Sequence, residues 1–162
     1  MKSMTQLITD KKAGLAHTEE EVQWLVENYT NDHIPDYQMS AWLMAVCWQG
    51  MTFDETKALT LAMMRSGTCL QLHSVGRPLI DKHSTGGVAD TTTLVLAPLL
   101  AAAGAGVAKM SGRGLGFTGG TIDKLESIPG FSATLQEEQF LALLQKQGLA
   151  LTAQSASIAP AD

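Results

Sequence analysis

The chain has 162 residues, of which 45% are hydrophobic and 17% charged, with a formal net charge of −5. These proportions exclude a disordered tail and leave room for one ordinary domain, or for one small domain and part of another. The acidic balance gives no global attraction to nucleic acid or anionic lipid, so neither is an expected partner and any anion site must be local.

Residues 1 to about 67 read as four helices punctuated by glycine or proline. Met4, Leu7 and Ile8 form a first stripe that closes near Gly14. The second helix starts at "TEEE", Thr18 to Glu21, a capping box in which hydroxyl and carboxylate each satisfy an orphan amide. Val22, Leu25, Val26 and Tyr29 follow at helical spacing. Pro35 and Asp36 open a third helix carrying Met39, Leu43, Met44 and Cys47, which ends near Gly50. A second capping box, "TFDE" from Thr52 to Glu55, opens a fourth that runs to Gly67.

The pattern then changes. "RPLIDK" reads as a strand, the alanine-rich "TTTLVLAPLLAAAG" as a buried helix with Pro98 as a kink or first-turn residue, and "AGVAKM" as the next strand. "TIDKLESI" is a helix stopped by Pro129 and Gly130, and "TLQEEQFLALLQKQG" is another with a capping box from Thr134 to Glu137. "LALT" gives a third strand. Alternation of strand and helix implies crossover units and a parallel sheet. The expected class is α/β with an all-α domain: four helices over residues 1–67, then the beginning of a mainly parallel α/β domain over 68–162. "SASIAPAD" ends without a closing element and reads as a cut.

Cys47 and Cys69 are too few for a disulfide framework and lack metal-ligand spacing, so they read as buried thiols and no metal is expected. His17, His33 and His73 sit among polar residues and read as surface histidines, and Met39, Met44, Met63 and Met64 as core. No apolar stretch reaches the roughly 18 residues of a spanning helix, so a membrane is not an expected partner and the cytoplasm is the expected compartment.

Ten of the fifteen glycines fall between Gly86 and Gly130, where strands hand over to helices. The first amides of a helix have no internal partner, and glycine lets backbone N–H groups approach a ligand closely, so such junctions suit anions. In "DKHSTGGVADTTT", Lys82 and Ser84 stand beside Gly86 and Gly87; "KMSGRGLGFTGGT" supplies Lys109, Ser111, Thr118 and Thr121. Thr93 and Thr121 read equally well as helix N-caps. Neither loop has P-loop or dinucleotide spacing, but two lysine-bearing, hydroxyl-bearing loops on successive strand ends point to a phosphate pocket. Asp123 and Lys124 read as supports for the second helix start, and Arg113 as a brace for the loop.

"KHSTGG", followed by "TTTLVLAPLLAA" and by "AKMSGRGLG" with "TGGTIDKLESIPGF", resembles the thymidine and pyrimidine-nucleoside phosphorylases, and "IPDYQMSAWLMAV" is similar to part of their helical domain. The resemblance implies phosphorolysis of a pyrimidine nucleoside to free base and pentose 1-phosphate. Lys82, Ser84, Gly86, Thr93, Lys109, Ser111 and Thr121 would hold phosphate. His83, the candidate catalytic residue, would face the pyrimidine, as a hydrogen-bonding wall in preference to an acid. Inorganic phosphate is then a substrate, no cofactor is implied, and the helical domain is expected to form a homodimer. Phe117 stands where the family usually has histidine, and Ala89 where it usually has glycine. The family's chain is much longer, and the residues that grip the base follow the region matched here, so little phosphorolysis is expected of these residues alone. Two alternatives stand beside this reading. One is an anthranilate phosphoribosyltransferase-like enzyme using magnesium and a diphosphate-bearing sugar, and the other is a non-catalytic dimerisation module.

Overall fold

The computed structural model describes residues 2–83, 91–114 and 118–161. The chain divides into two compact units, one made of Met1–Cys69 with Ala156–Asp162 and the other of Leu70–Ser155. The sequence pattern places the break after Gly67 and runs the second segment to the end. In the structure, Thr68 N–H instead donates to the Ser157 carbonyl at 2.9 Å and Ala161 packs on the helical core. The tail carries no periodic pattern, so only its long-range contacts assign it.

The first unit contains α1 (Met4–Lys12), α2 (Glu19–Thr30), α3 (Asp36–Gln49) and α4 (Phe53–Ser66), with α1 packed on α3 and α2 on α4. Both expected capping boxes are present. Thr18 N–H donates to Glu21 Oε2 at 3.1 Å, and Thr52 N–H to Glu55 Oε2 at 2.8 Å. Leu7, Leu25, Val26, Ile34, Met39 and Trp42 form the core.

Several expectations fail in this unit. Cys47 and Cys69 are exposed. Met44 and Met64 point outward, while Met39 is buried and Met63 is half-buried against the core. Helix α3 is apolar nearly all round, so spacing cannot select its inner face; packing against α1 buries Met39 and Trp42 and leaves Tyr37, Met44 and Trp48 outside. His17 is buried as well. Its Nε2 accepts a hydrogen bond from Trp42 Nε1–H at 3.0 Å, and its Nδ1 lies 3.6 Å from Glu21 Oε2. Beside it Lys11 Nζ donates to Glu55 Oε1 at 2.7 Å, an ion pair buried on both sides.

The second unit holds a parallel sheet of β1 (Leu79–Ile80), β2 (Gly106–Ser111) and β3 (Leu149–Ala153), in that spatial order. Helices α5 (Thr92–Ala102) and α7 (Glu137–Gln147) pack against it, and α6 (Thr121–Glu126) follows the second glycine-rich loop. Pro98 lies inside α5, whose end is still closed by Ala103 N–H donating to the Leu99 carbonyl. The capping box of α7 is shifted from the expected Thr134–Glu137: Gln136 N–H donates to the Gln139 side chain at 3.1 Å, and Leu135 N–H is drawn towards Thr152 Oγ1 on β3. Val75, Phe140, Leu144 and Ala150 form the core. Among the described residues, no helix is long and apolar enough to cross a membrane.

Candidate functional site

The geometry of the site follows from strand direction. In the parallel pairing Leu79 stands opposite Gly106 and Ile80 opposite Val107, so the chain leaves β1 at Asp81 beside the carboxyl half of β2. Ligands of open parallel sheets collect at this edge. Lys109 and Ser111, two residues apart on β2, project to the same face.

Lys82, Thr93 and Lys109 come together at this edge. Lys82 Nζ donates to Thr93 Oγ1 at 3.1 Å. Lys109, itself buried, places its Nζ 3.2 Å from Asp81 Oδ1. Asp81, Lys82, Thr93 and Lys109 line one cavity of about 10 Å³, room for about one water, whose remaining wall includes Leu96 and Val107. Thr93 is the second residue of α5 and Thr121 the first of α6, so neither is an N-cap; both are nevertheless buried. Their hydroxyls are thus held inside the unit without a capping role. Ser111 is half-buried at the tip of β2, and His83 is exposed. Ser84 and Gly86 lie outside the described residues, as do Ala89 and Phe117.

The second loop is held by charge. Asp123 Oδ2 accepts hydrogen bonds from Gly114 N–H at 2.6 Å and from Gly120 N–H at 2.8 Å, pinning both arms of the loop to one carboxylate. Those two amides, joined by the Arg113 guanidinium, hold the Asp123 carboxyl below its usual range. Arg113 also makes a two-pronged pair with Glu126, at 2.6 and 2.9 Å, and Lys124 Nζ donates to the Gly119 and Gly120 carbonyls. The arms approach so closely that a Cβ at Gly114 would overlap the Thr118 carbonyl oxygen, and one at Gly120 would lie 2.6 Å from the Arg113 carbonyl carbon. Only glycine fits at either position.

Two participants escape sequence reasoning. Glu126 stands three residues after Asp123, the one available hint that both share a helix face. Asp81 adjoins Lys82 and reads as a solvated neighbour; only strand pairing turns it towards Lys109.

Two family models match this chain, the helical bundle domain of a glycosyl transferase family over residues 5–67 and the a/b domain of the same family over 76–162. The chain belongs to this glycosyl transferase family. Among relatives of this glycosyl transferase chain, the pyrimidine-nucleoside phosphorylase of Geobacillus stearothermophilus is 54% identical over 159 residues, covering 98% of this chain and 37% of the relative. That of Bacillus subtilis is 51% identical over the same shares. The chain therefore spans 37% of the length of these relatives. A crystal structure of anthranilate phosphoribosyltransferase from Thermus thermophilus superposes with a TM-score of 0.73 at 23% identity, over 96% of this chain and 47% of that one, and so shares the fold.

Proposed function

We propose that this glycosyl transferase chain supplies the phosphate half-site of a pyrimidine-nucleoside phosphorylase, which converts a pyrimidine nucleoside and inorganic phosphate to the free base and a pentose 1-phosphate. The observation that carries the reading is the convergence of Lys82, Thr93 and Lys109 at adjoining strand ends. Similarity to pyrimidine-nucleoside phosphorylases at 54% and 51% identity favours it over the phosphoribosyltransferase reading, which has only the shared fold behind it.

In this reading Lys82, Lys109 and the hydroxyls of Ser84, Thr93, Ser111 and Thr121 hold a phosphate dianion, with the glycine backbone at Gly86. A phosphate oxygen attacks the anomeric carbon as the bond to the base nitrogen breaks. The bonding pair leaves with the base, which takes up a proton, and His83 lines the pyrimidine side. The fixed cations hold and align the phosphate, whose negative charge faces the sugar as it becomes oxocarbenium-like, so positioning supplies most of the rate. Phosphate is consumed as a substrate, and the step calls for no cofactor. In this reading the base-gripping half is assigned to the part of the relatives that this chain does not span.

Calorimetry with inorganic phosphate tests the reading. The chain should bind it, Lys82→Ala should weaken binding by about tenfold through loss of one charge-assisted contact, and the 162 residues alone should release almost no thymine from thymidine. Absence of phosphate binding, or family-like phosphorolysis by these residues, would count against it.

The helical unit is proposed to form a homodimer through α3. Tyr37, Met44 and Trp48, spaced at 37, 44 and 48 along one side of the helix, are all exposed, Trp48 at 80%. Light scattering should show a dimer that Trp48→Glu converts to monomer, because a carboxylate would be buried there without a partner. A wild-type monomer at micromolar concentration would remove this part of the reading.

A further inference from the structure

We infer that Asp81 is a built-in counter-charge that competes with phosphate for Lys109 and so sets the affinity of the site. The inference rests on the phosphate reading and adds a residue to which that reading gives no role.

Two ion pairs in the same molecule differ in kind. Lys11 and Glu55 are 3% and 1% exposed and 2.7 Å apart, and the carboxylate also accepts backbone N–H groups from His17 and Thr52. Both charges there are sealed from water, and the pair is a permanent structural element. Lys109 is nearly as buried, its side chain 8% exposed, but its partner Asp81 is 63% exposed and stands farther off, at 3.2 Å. A buried ammonium needs a counter-charge, whereas a solvated carboxylate gives one up at small cost. Asp81 therefore keeps Lys109 paired until an anion arrives and water then takes over its solvation.

Asp81 also lines the same cavity as Lys82, Thr93 and Lys109. A dianion bound to those groups would sit within several ångströms of a like charge that does not leave. Coulomb repulsion of one carboxylate on a dianion over about 6 Å weakens binding by about tenfold even at the dielectric of water, about 80, and by more in a less polar setting. The consequence for phosphorolysis is release, because the sugar phosphate product carries the same anionic group and meets the same opposing carboxylate.

The test is phosphate calorimetry on the wild-type chain, Asp81→Asn and Asp81→Glu, each with its thermal midpoint. Asp81→Asn should bind phosphate about tenfold more tightly while its own midpoint falls, because buried Lys109 loses its counter-charge, with saturating phosphate restoring it. Asp81→Glu should stay within about twofold of wild type and keep its midpoint because it keeps the charge. A merely structural role predicts a lowered midpoint with binding no tighter than wild type. Wild-type binding with no tightening in Asp81→Asn overturns this inference alone; no binding by any of the three overturns the phosphate reading and this one with it. In the wild-type chain, saturating phosphate should also shift the Asp81 carboxyl carbon resonance in NMR, and an unmoved resonance would overturn the competition.

Discussion

Replacing Glu55 by alanine should destabilise the helical unit by about 3–5 kcal/mol, the usual cost of leaving one charge of a buried pair alone. Glu55 Oε1 accepts from Lys11 Nζ at 2.7 Å and from His17 N–H at 2.8 Å, and Oε2 accepts from Thr52 N–H at 2.8 Å. One side chain thus caps α4, neutralises a lysine of α1 and fixes the connection before α2. Thermal unfolding followed by circular dichroism should show the midpoint falling by more than about 10 °C for a unit of this size. Removing both charges, with Lys11→Met added to Glu55→Gln, should recover part of the loss, because no uncompensated ion remains. A single-variant loss under about 1 kcal/mol would show that water reaches the pair.

The same residue fixes the response to acid. Burial pushes the Glu55 carboxyl upward, but the hydrogen bonds from Lys11, His17 and Thr52 outweigh it and bring it from 4.5 down to about 2. A depressed carboxyl contributes stability that is complete above its unfolded value, so this contribution should fade as pH falls from 4.5 towards 2. His17 adds a loss at higher pH. Burial lowers its value below 6.5, with Glu21 and Glu55 opposing and Lys11 and Lys2 reinforcing the shift. The unfolded chain then binds the extra proton first, and stability begins to fall below 6.5. Protonation would also turn Nε2 into a donor facing Trp42 Nε1–H. In Glu55→Ala, the acid loss between 4.5 and 2 should be smaller, leaving the share of other depressed carboxyls such as Glu21, while the one below 6.5 persists.

Lys109→Ala should weaken phosphate binding by about a hundredfold, more than Lys82→Ala, because Lys109 is buried and its charge acts in a lower effective dielectric. Its stability cost should be small, since the partner left behind, Asp81, is solvated. Lys109→Arg should restore little, because a planar guanidinium does not fit a compact buried position beside Thr93 and Val107. The double variant with Asp81→Asn should bind more tightly than Lys109→Ala but less tightly than Asp81→Asn alone, since the carboxylate still repels the anion after the shared lysine is gone. Binding within about threefold of wild type in Lys109→Ala would move the anion away from β2.

Local pattern along the chain is enough for the elements and most of the chemistry. Capping boxes at Thr18–Glu21 and Thr52–Glu55 are legible because hydroxyl, carboxylate and amide lie within one turn, and both survive in the structure. Strand and helix alternation after Pro78 similarly dictates a parallel sheet, whose geometry makes its carboxyl edge the place for Lys82 and Lys109. Loop braces at Arg113, Asp123 and Lys124 are legible too, being within a dozen residues of one another.

Which faces are buried and which charges meet depends instead on how the chain closes on itself. Apolar character nearly all round α3 gives no inner side, so Met44 faces outward while Met39 and Trp42 face α1. His17 stands among polar neighbours in the chain but beside Trp42 and Glu55 in space. Likewise Asp81 is an ordinary exposed acid until parallel pairing of β1 with β2 sets it against Lys109, and the tail after Ser155 joins the helical unit through contacts that no local pattern encodes. Periodicity and capping act over a few residues, whereas burial and ion pairing depend on distances that only chain closure creates.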